Sequence, residues 1–185
     1  MDLSTNKTVN PASLISFKHT NQGAYKMHDL YKYKNLVKLI QAELDLSGNC
    51  FESEIKELSS LRFLRKLSLS SNHIKELWQF PKTLEVLNVS CNHLATISEL
   101  KLPRLQYLDF SCNLLTSLQG FSELPVLKSL SLGYNLLKNL EGLENMKSLM
   151  EIDIEHNLLT RTEDLNLLIR SSVLVFVLRN NPGSR

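Results

Sequence analysis

Long apolar runs are missing from this chain. The most strongly apolar stretch, Val173 to Leu178, suits one buried strand and falls far short of the roughly 20 residues a membrane-spanning helix requires. The opening residues, Met1-Asp2-Leu3-Ser4-Thr5-Asn6-Lys7, lead into no apolar secretory core. Cysteine is scarce. There are three, Cys50, Cys91 and Cys112, and an odd, small number without an export signal argues against a disulfide-stapled secreted scaffold. Reduced thiols in a cytoplasmic setting are the expectation. Net charge is small as well: 21 Lys and Arg against 19 Asp and Glu give +2, too little to call for nucleic acid or a membrane surface as partner. Aromatic residues make up only 7%, so aliphatic layers must build the core.

What is present is leucine at regular intervals, in a chain of 185 residues that is 43% hydrophobic. That is enough for one domain with a sizeable core. One unit reads Leu64-x-x-Leu67-x-Leu69-x-x-Asn72-x-Ile74, and the next Leu84-x-x-Leu87-x-Val89-x-x-Asn92-x-Leu94. Leu105-x-x-Leu108-x-Phe110-x-x-Asn113-x-Leu115 follows, then Leu127-x-x-Leu130-x-Leu132-x-x-Asn135-x-Leu137 and Leu149-x-x-Ile152-x-Ile154-x-x-Asn157-x-Leu159. Two weaker units flank these, Leu44-x-Leu46-x-x-Asn49-x-Phe51 and Val173-x-x-Phe176-x-Leu178-x-x-Asn181. The asparagines stand at 49, 72, 92, 113, 135, 157 and 181, in steps of 23, 20, 21, 22, 22 and 24. Apolar-x-apolar-x-x-Asn units kept in phase over such distances describe a solenoid.

The spacing carries its own physics. In apolar-x-apolar the two apolar side chains share one face of a strand, and the residues between them take the other. One short strand cannot cover its apolar face, whereas stacked coils do so together in a parallel sheet. The asparagine amide both donates and accepts, so it can satisfy turn backbone groups in its own coil and the neighbouring one. The return segments leave room for turns or short 3₁₀ pieces. Gly120 and Gly142 fall where the chain must turn. Pro103 and Pro125 precede the next strand. Residues 163–170 are the one return long enough for a helical turn or two.

This pattern, with Leu140-Glu141-Gly142-Leu143-x-x-Met146 in the return, resembles the leucine-rich repeats of the protein phosphatase 1 regulatory subunit class. The resemblance spans roughly residues 36 to 182. It implies an α/β leucine-rich-repeat solenoid, right-handed, of about seven coils, with a parallel β-sheet on the concave face and short turns or 3₁₀ segments on the convex face. Relatives of that class include ciliary, centrosomal and dynein-associated proteins. The resemblance therefore implies a scaffold or adaptor at the cytoskeleton, cilium, basal body or centrosome, with a regulatory subunit of the phosphatase as the alternative. Bacterial internalins carry similar repeats but are exported.

Three segments follow. Residues 1–35 break the repeat and are expected to cap the solenoid, with a degenerate strand at Leu14-Ile15-Ser16-Phe17 and a helix near Met27 to Ile40. Their Lys7, Lys18, Lys26, Lys32 and Lys34 also suit a basic arm for an acidic partner. Residues 36–182 form the repeat domain. The tail, 183–185, is shorter than relatives carry past the last asparagine, so the chain is expected to be a fragment of a longer protein.

The outward strand positions are where a partner is expected. The column before the central residue reads Glu43, Lys66, Val86, Tyr107, Ser129, Glu151 and Val175, and the one after it Asp45, Ser68, Asn88, Asp109, Ser131, Asp153 and Val177. Beyond the second apolar residue come Ser47, Ser70, Ser90, Ser111, Gly133, Glu155 and Arg179, then Gly48, Ser71, Cys91, Cys112, Tyr134, His156 and Asn180. Small serines leave the face open, while tyrosines project and supply contact area. The candidate partner-binding set is Lys66, Val86, Tyr107, Asp109, Tyr134, Glu151, Asp153, Glu155 and His156. The acids select a protein partner with a basic segment, met by a single copy of the chain.

Catalysis is not expected. Asp109, Glu151 and Asp153 are surface residues of a regular ladder, with no nucleophile–base pair, glycine-rich phosphate loop or metal motif beside them. Cys91 and Cys112 share a column in adjacent coils, at a spacing compatible with a disulfide. Cys50, His73 and His93 share another. Without paired metal-ligand spacing these read as ordinary thiols and histidines, and no cofactor is expected.

Overall fold

The structure, a computed structural model, describes residues 16–18, 20, 23, 42–97, 100–121, 124–160 and 162–184. Eight strands lie in chain order in one sheet: β1 (Ser16–Lys18), β2 (Glu43–Asp45), β3 (Lys66–Ser68), β4 (Val86–Asn88), β5 (Tyr107–Asp109), β6 (Ser129–Ser131), β7 (Glu151–Asp153) and β8 (Val175–Val177). Every neighbouring pair is parallel and in register, so equivalent residues of each coil line up: Leu44, Leu67, Leu87, Leu108, Leu130, Ile152 and Phe176 form one column. Strands β2 to β8 are the coils that the asparagine spacing predicts. Strand β1, which pairs Phe17 with Leu44, adds one from the segment that breaks the repeat. The helix expected near Met27 to Ile40 lies outside the described residues.

Strands are only three residues long because each coil has one inward position per strand. The central residue is buried and its neighbours face out in β2 to β7. The second apolar residue, two steps on, is fully buried as well: Leu46, Leu69, Val89, Phe110, Leu132 and Ile154. Behind them stack Leu64, Leu84, Leu105, Leu127 and Leu149 from the approach to each strand, and Phe51, Ile74, Leu94, Leu115, Leu137 and Leu159 from beyond each asparagine. One continuous aliphatic core results, widened where Phe110 meets Phe121 edge-on with ring centroids 6.2 Å apart. The last coil differs. Phe176 occupies the core column yet is 45% exposed, because no strand lies beyond β8 among the described residues.

The return segments match the short spans left for them. Among the described residues they hold 3₁₀ turns at Lys56–Ser60 and Leu143–Asn145 and one helix, Thr162–Arg170, in the longest return, and a further 3₁₀ turn, Pro182–Ser184, follows β8. Gly142 sits in the left-handed region at φ 102° and opens the Leu143–Asn145 turn. Within the helix, buried Asp164 accepts the Leu140 N–H at 2.8 Å, tying it to the preceding coil.

The asparagine ladder holds the coils in register. Asn113 is typical: its Nδ2 donates to the carbonyls of Phe110 and Ser111 in its own coil and of Val89 in the preceding one. Its Oδ1 accepts the Leu94 N–H of the preceding coil at 2.9 Å. Asn72, Asn92, Asn135 and Asn157 repeat this pattern. All of these amides are buried, where an unpaired polar group is expensive.

Candidate functional site

Sheet pairing fixes which outward residues meet. Tyr107 on β5 is level with Ser129 on β6 and Glu151 on β7, and Asp109 with Ser131 and Asp153. The two outer strands of this set lie about 10 Å apart, two strand spacings. Strand β6 offers only Ser129, Ser131 and, two residues on, Gly133. The result is a trough floored by small side chains, with Tyr107 and Asp109 on one wall and Glu151, Asp153 and Glu155 on the other. Tyr107 is 49% exposed, and Glu151 is exposed too. Glu155 leans over Gly133: a Cβ there would sit 3.3 Å from Glu155 Cγ.

The carboxylates are not equivalent. Asp109 Oδ1 accepts both the N–H and the hydroxyl of Ser111, at 3.0 and 2.6 Å. Asp153 Oδ1 accepts the Glu155 N–H at 3.0 Å. Asp45 with Ser47 and Asn88 with Ser90 make the same local turn. Such side-chain bonds two residues on shape the chain leaving the strand, so Asp109 and Asp153 are first of all turn residues. Glu155 Oε2 pairs with Arg179 at 3.9 Å. Among the predicted acids, Glu151 is the one free to meet a partner with its whole carboxylate.

The other predicted residues divide. Lys66 reaches Glu43 in the adjacent coil at 2.7 Å, and Val86 is half-buried. Both lie on β3 and β4, outside the trough. Tyr134 and His156 stand at its rim as a stacked pair, ring centroids 4.2 Å apart and planes 15° from parallel. His156 Nε2 is 2.7 Å from Asn180 Nδ2. Three successive coils are linked by this side-chain chain. His73 and His93 stack similarly, 5.8 Å apart, further along the same edge. No cluster of three His, Cys, Asp or Glu side chains suited to a metal occurs among the described residues.

One property of the site was not legible as such. The residue just before each asparagine takes a left-handed backbone: Gly48, Ser71, Cys91, Cys112, Tyr134, His156 and Asn180 have φ between 49° and 65°. This conformation costs an ordinary L-residue roughly 1–2 kcal/mol and suits glycine or asparagine. The signal was present, since Gly48 and Asn180 are those two residue types in one column. The turn points the intervening side chains outward, making a ridge of Cys91, Cys112, Tyr134 and His156 beside the trough. Strain held at exposed positions accompanies functional surfaces. Where the side chain has no use, glycine should be better: Ser71→Gly is expected to stabilise the fold by about 1 kcal/mol, measured as a higher urea midpoint at unchanged slope. An unchanged or lower midpoint would mean that Ser71 is not strained.

On the opposite side, a cavity of about 360 Å³ opens between the Leu143–Asn145 turn and the helix, lined by Leu143, Met146, Lys147, Leu167 and Arg170 among others. Its polar lining is Glu144, Lys147, Arg170, Ser171 and Ser172.

Comparisons with known proteins agree with this geometry. Family models for leucine-rich repeats match residues 60–75, 82–123 and 103–159. A leucine-rich-repeat protein of Leptospira interrogans has a solved structure similar to this chain over 93% of its length at TM-score 0.74 and 26% identity, covering 50% of that protein. An internalin from Listeria monocytogenes matches over 92% at TM-score 0.64 and 18% identity, covering 56% of that chain. TLR13, solved in complex with ssRNA13, matches over 92% at TM-score 0.66 and 23% identity, covering 24% of that chain. This chain thus spans about half the length, or less, of these solved structures. No curated protein matches it in sequence.

Proposed function

We propose, from the premise that the chain is a leucine-rich-repeat protein, that it is a non-catalytic scaffold or adaptor whose protein partner docks on the solvent face of the sheet. Leucine-rich-repeat folds in general serve as protein-interaction scaffolds. The observation that carries the reading is the trough over β5 to β7. It combines an exposed aromatic wall, a floor of serines and glycine, and an acidic wall. An aromatic anchor beside an open floor gives contact area at low conformational cost, and Glu151 with Glu155 selects a basic segment. The same acids oppose a phosphate backbone, which favours a protein over a nucleic acid. One copy of the chain supplies the whole trough. The carboxylates support a non-catalytic role, because Asp109 and Asp153 are engaged in turns.

The finer reading follows the coil length and the short 3₁₀ returns, which suit the protein phosphatase 1 regulatory subunit-like class. It places the protein in the cytoplasm, at the cytoskeleton, cilium, basal body or centrosome. The exposed thiols of Cys91 and Cys112 are in keeping with a reducing compartment.

Tyr107→Ala combined with Glu151→Lys tests the trough without touching its turns. Pull-down from a ciliated-cell lysate with wild type and variant, both checked by circular dichroism, should lose the specific partner from the variant at least tenfold. Equal recovery would remove the trough from the binding surface. Co-elution with purified protein phosphatase 1 catalytic subunit would replace the scaffold reading by the regulatory-subunit one.

A further inference from the structure

Two exposed thiols stand side by side in a fold whose function does not use them. Cys91 and Cys112 occupy the same place in adjacent coils, three residues past the paired Asn88 and Asp109. The backbone ladder continues past the strands and holds both: Cys91 N–H donates to Ser111 O at 2.9 Å, and Cys112 N–H to Gly133 O at 2.9 Å. Each has φ 53°, so both side chains leave the turn in the same direction. Adjacent strands put the Cα atoms about 4.8 Å apart, inside the roughly 4.4–6.8 Å that a disulfide spans. Both residues are exposed, so either thiol can rotate toward the other and an oxidant can reach them. Cys50 has no such neighbour. It lies two coils from Cys91, about 10 Å in strand spacings, beyond disulfide reach.

We propose that Cys91 and Cys112 are an oxidation site, closing an intramolecular disulfide between neighbouring coils when the protein meets glutathione disulfide. The chemistry balances with that oxidant alone. The Cys91 thiolate attacks one sulfur of glutathione disulfide, forming a mixed disulfide and releasing one glutathione. The Cys112 sulfur, its proton passing to solvent, then attacks Cys91 Sγ and releases the second glutathione. Two electrons pass from the protein to the oxidant, and the two thiol protons end on the two glutathiones. The order of attack has a physical reason. Burial, the hydrogen bond that its S–H donates to Cys91 Sγ, and the negative charge of Cys91 and Asp109 beside it push the Cys112 thiol up to about 11, so little of it is thiolate at neutral pH to make the first attack. The same property makes Cys112 a poor leaving group, which slows reopening of the bond. The bond would clip β4 to β5 just beyond Asp109. This assignment stands apart from the protein-binding reading and survives if the trough proves inert.

The full chain, freshly reduced, is incubated under native conditions with excess glutathione disulfide, and remaining thiols are alkylated before mass spectrometry. The expected product has one alkylated thiol, at Cys50, has lost two hydrogens, retains no glutathione and runs as a monomer on a non-reducing gel. Its Tm rises by roughly 5–10 °C, as expected for cross-linking a loop of this length. Cys50→Ser behaves in the same way. Cys112→Ser keeps a glutathione on Cys91 and shows no rise in Tm, which separates ring closure from simple adduct formation. Persistent glutathione on wild-type Cys91 or Cys112, a covalent dimer, or three thiols still open to alkylation would each overturn the assignment.

Discussion

Asn113→Ala should unfold about 5–15 °C below the wild type. The reason lies in which groups lose their only partner. Of the three carbonyls that Asn113 serves, Val89 O keeps the Asn92 amide, Phe110 O keeps the Asn135 amide and Ser111 O keeps the Cys91 N–H. The Leu94 N–H keeps nothing, because Asn113 Oδ1 is its acceptor. That leaves one buried donor unpaired, at about 1–3 kcal/mol, together with the lost side-chain bonds and a small void. A total of about 2–4 kcal/mol follows. Asn113→Asp separates the two halves of the amide. It keeps an acceptor for Leu94 but sets a carboxylate against three carbonyls, and at neutral pH it should destabilise at least as much. Thermal unfolding by circular dichroism reads both, and hydrogen exchange at Leu94 should accelerate in Asn113→Ala. Melting within 2 °C of wild type, by roughly the scale of 1 kcal/mol, would mean that the ladder does not hold the coils.

Phe110→Ala should be the more damaging core change, at about 3–5 kcal/mol. Phe110 is 0% exposed and holds the column that Leu69, Val89, Leu132 and Ile154 occupy in other coils. Its ring points into the core and meets Phe121, which is equally buried. Truncation opens a cavity against a second ring that has no other aromatic partner among the described residues. Phe110→Leu restores the residue type found in the equivalent coils and should cost only about 1–2 kcal/mol. The Phe110 carbonyl still accepts from Asn113 and Asn135 in either variant, so the ladder survives and the difference reports packing alone. Urea denaturation gives both values. Because each coil touches chiefly its neighbours, a broadened transition in Phe110→Ala would show the array splitting at β5. Equal midpoints for the Ala and Leu variants would remove the Phe110–Phe121 contact from the account.

Phase carried most of the fold. An apolar residue at every second position ahead of an asparagine leaves few alternatives: the leucines must share a face, and the coil must be short. The steps of 20 to 24 between asparagines set the coil length, and the in-register columns of the sheet follow from it. The helix at Thr162–Arg170 stands in the longest return, where the spare residues gave it room. Strand β1 was harder to read, because Phe17 lacks the asparagine that marks the other coils. The sequence offers it only as a degenerate strand at Leu14-Ile15-Ser16-Phe17, and its register shows through the pairing of Phe17 with Leu44.

The site was legible as columns but not as roles. Sequence puts Tyr107, Asp109, Glu151, Asp153 and Glu155 on one face by alternation alone. It does not say that Asp109 and Asp153 close turns through Ser111 and Glu155, that Lys66 is held by Glu43, or that Tyr134 lies flat on His156. Those depend on distances between coils that lie some twenty residues apart in the chain. The sequence by itself determined the solenoid, the seven coils that carry the asparagine and their inward and outward faces, because a repeat imposes the same local geometry on each unit. Only the tertiary structure decided which exposed groups are free, because each side chain's partners come from neighbouring coils whose residues vary independently of its own.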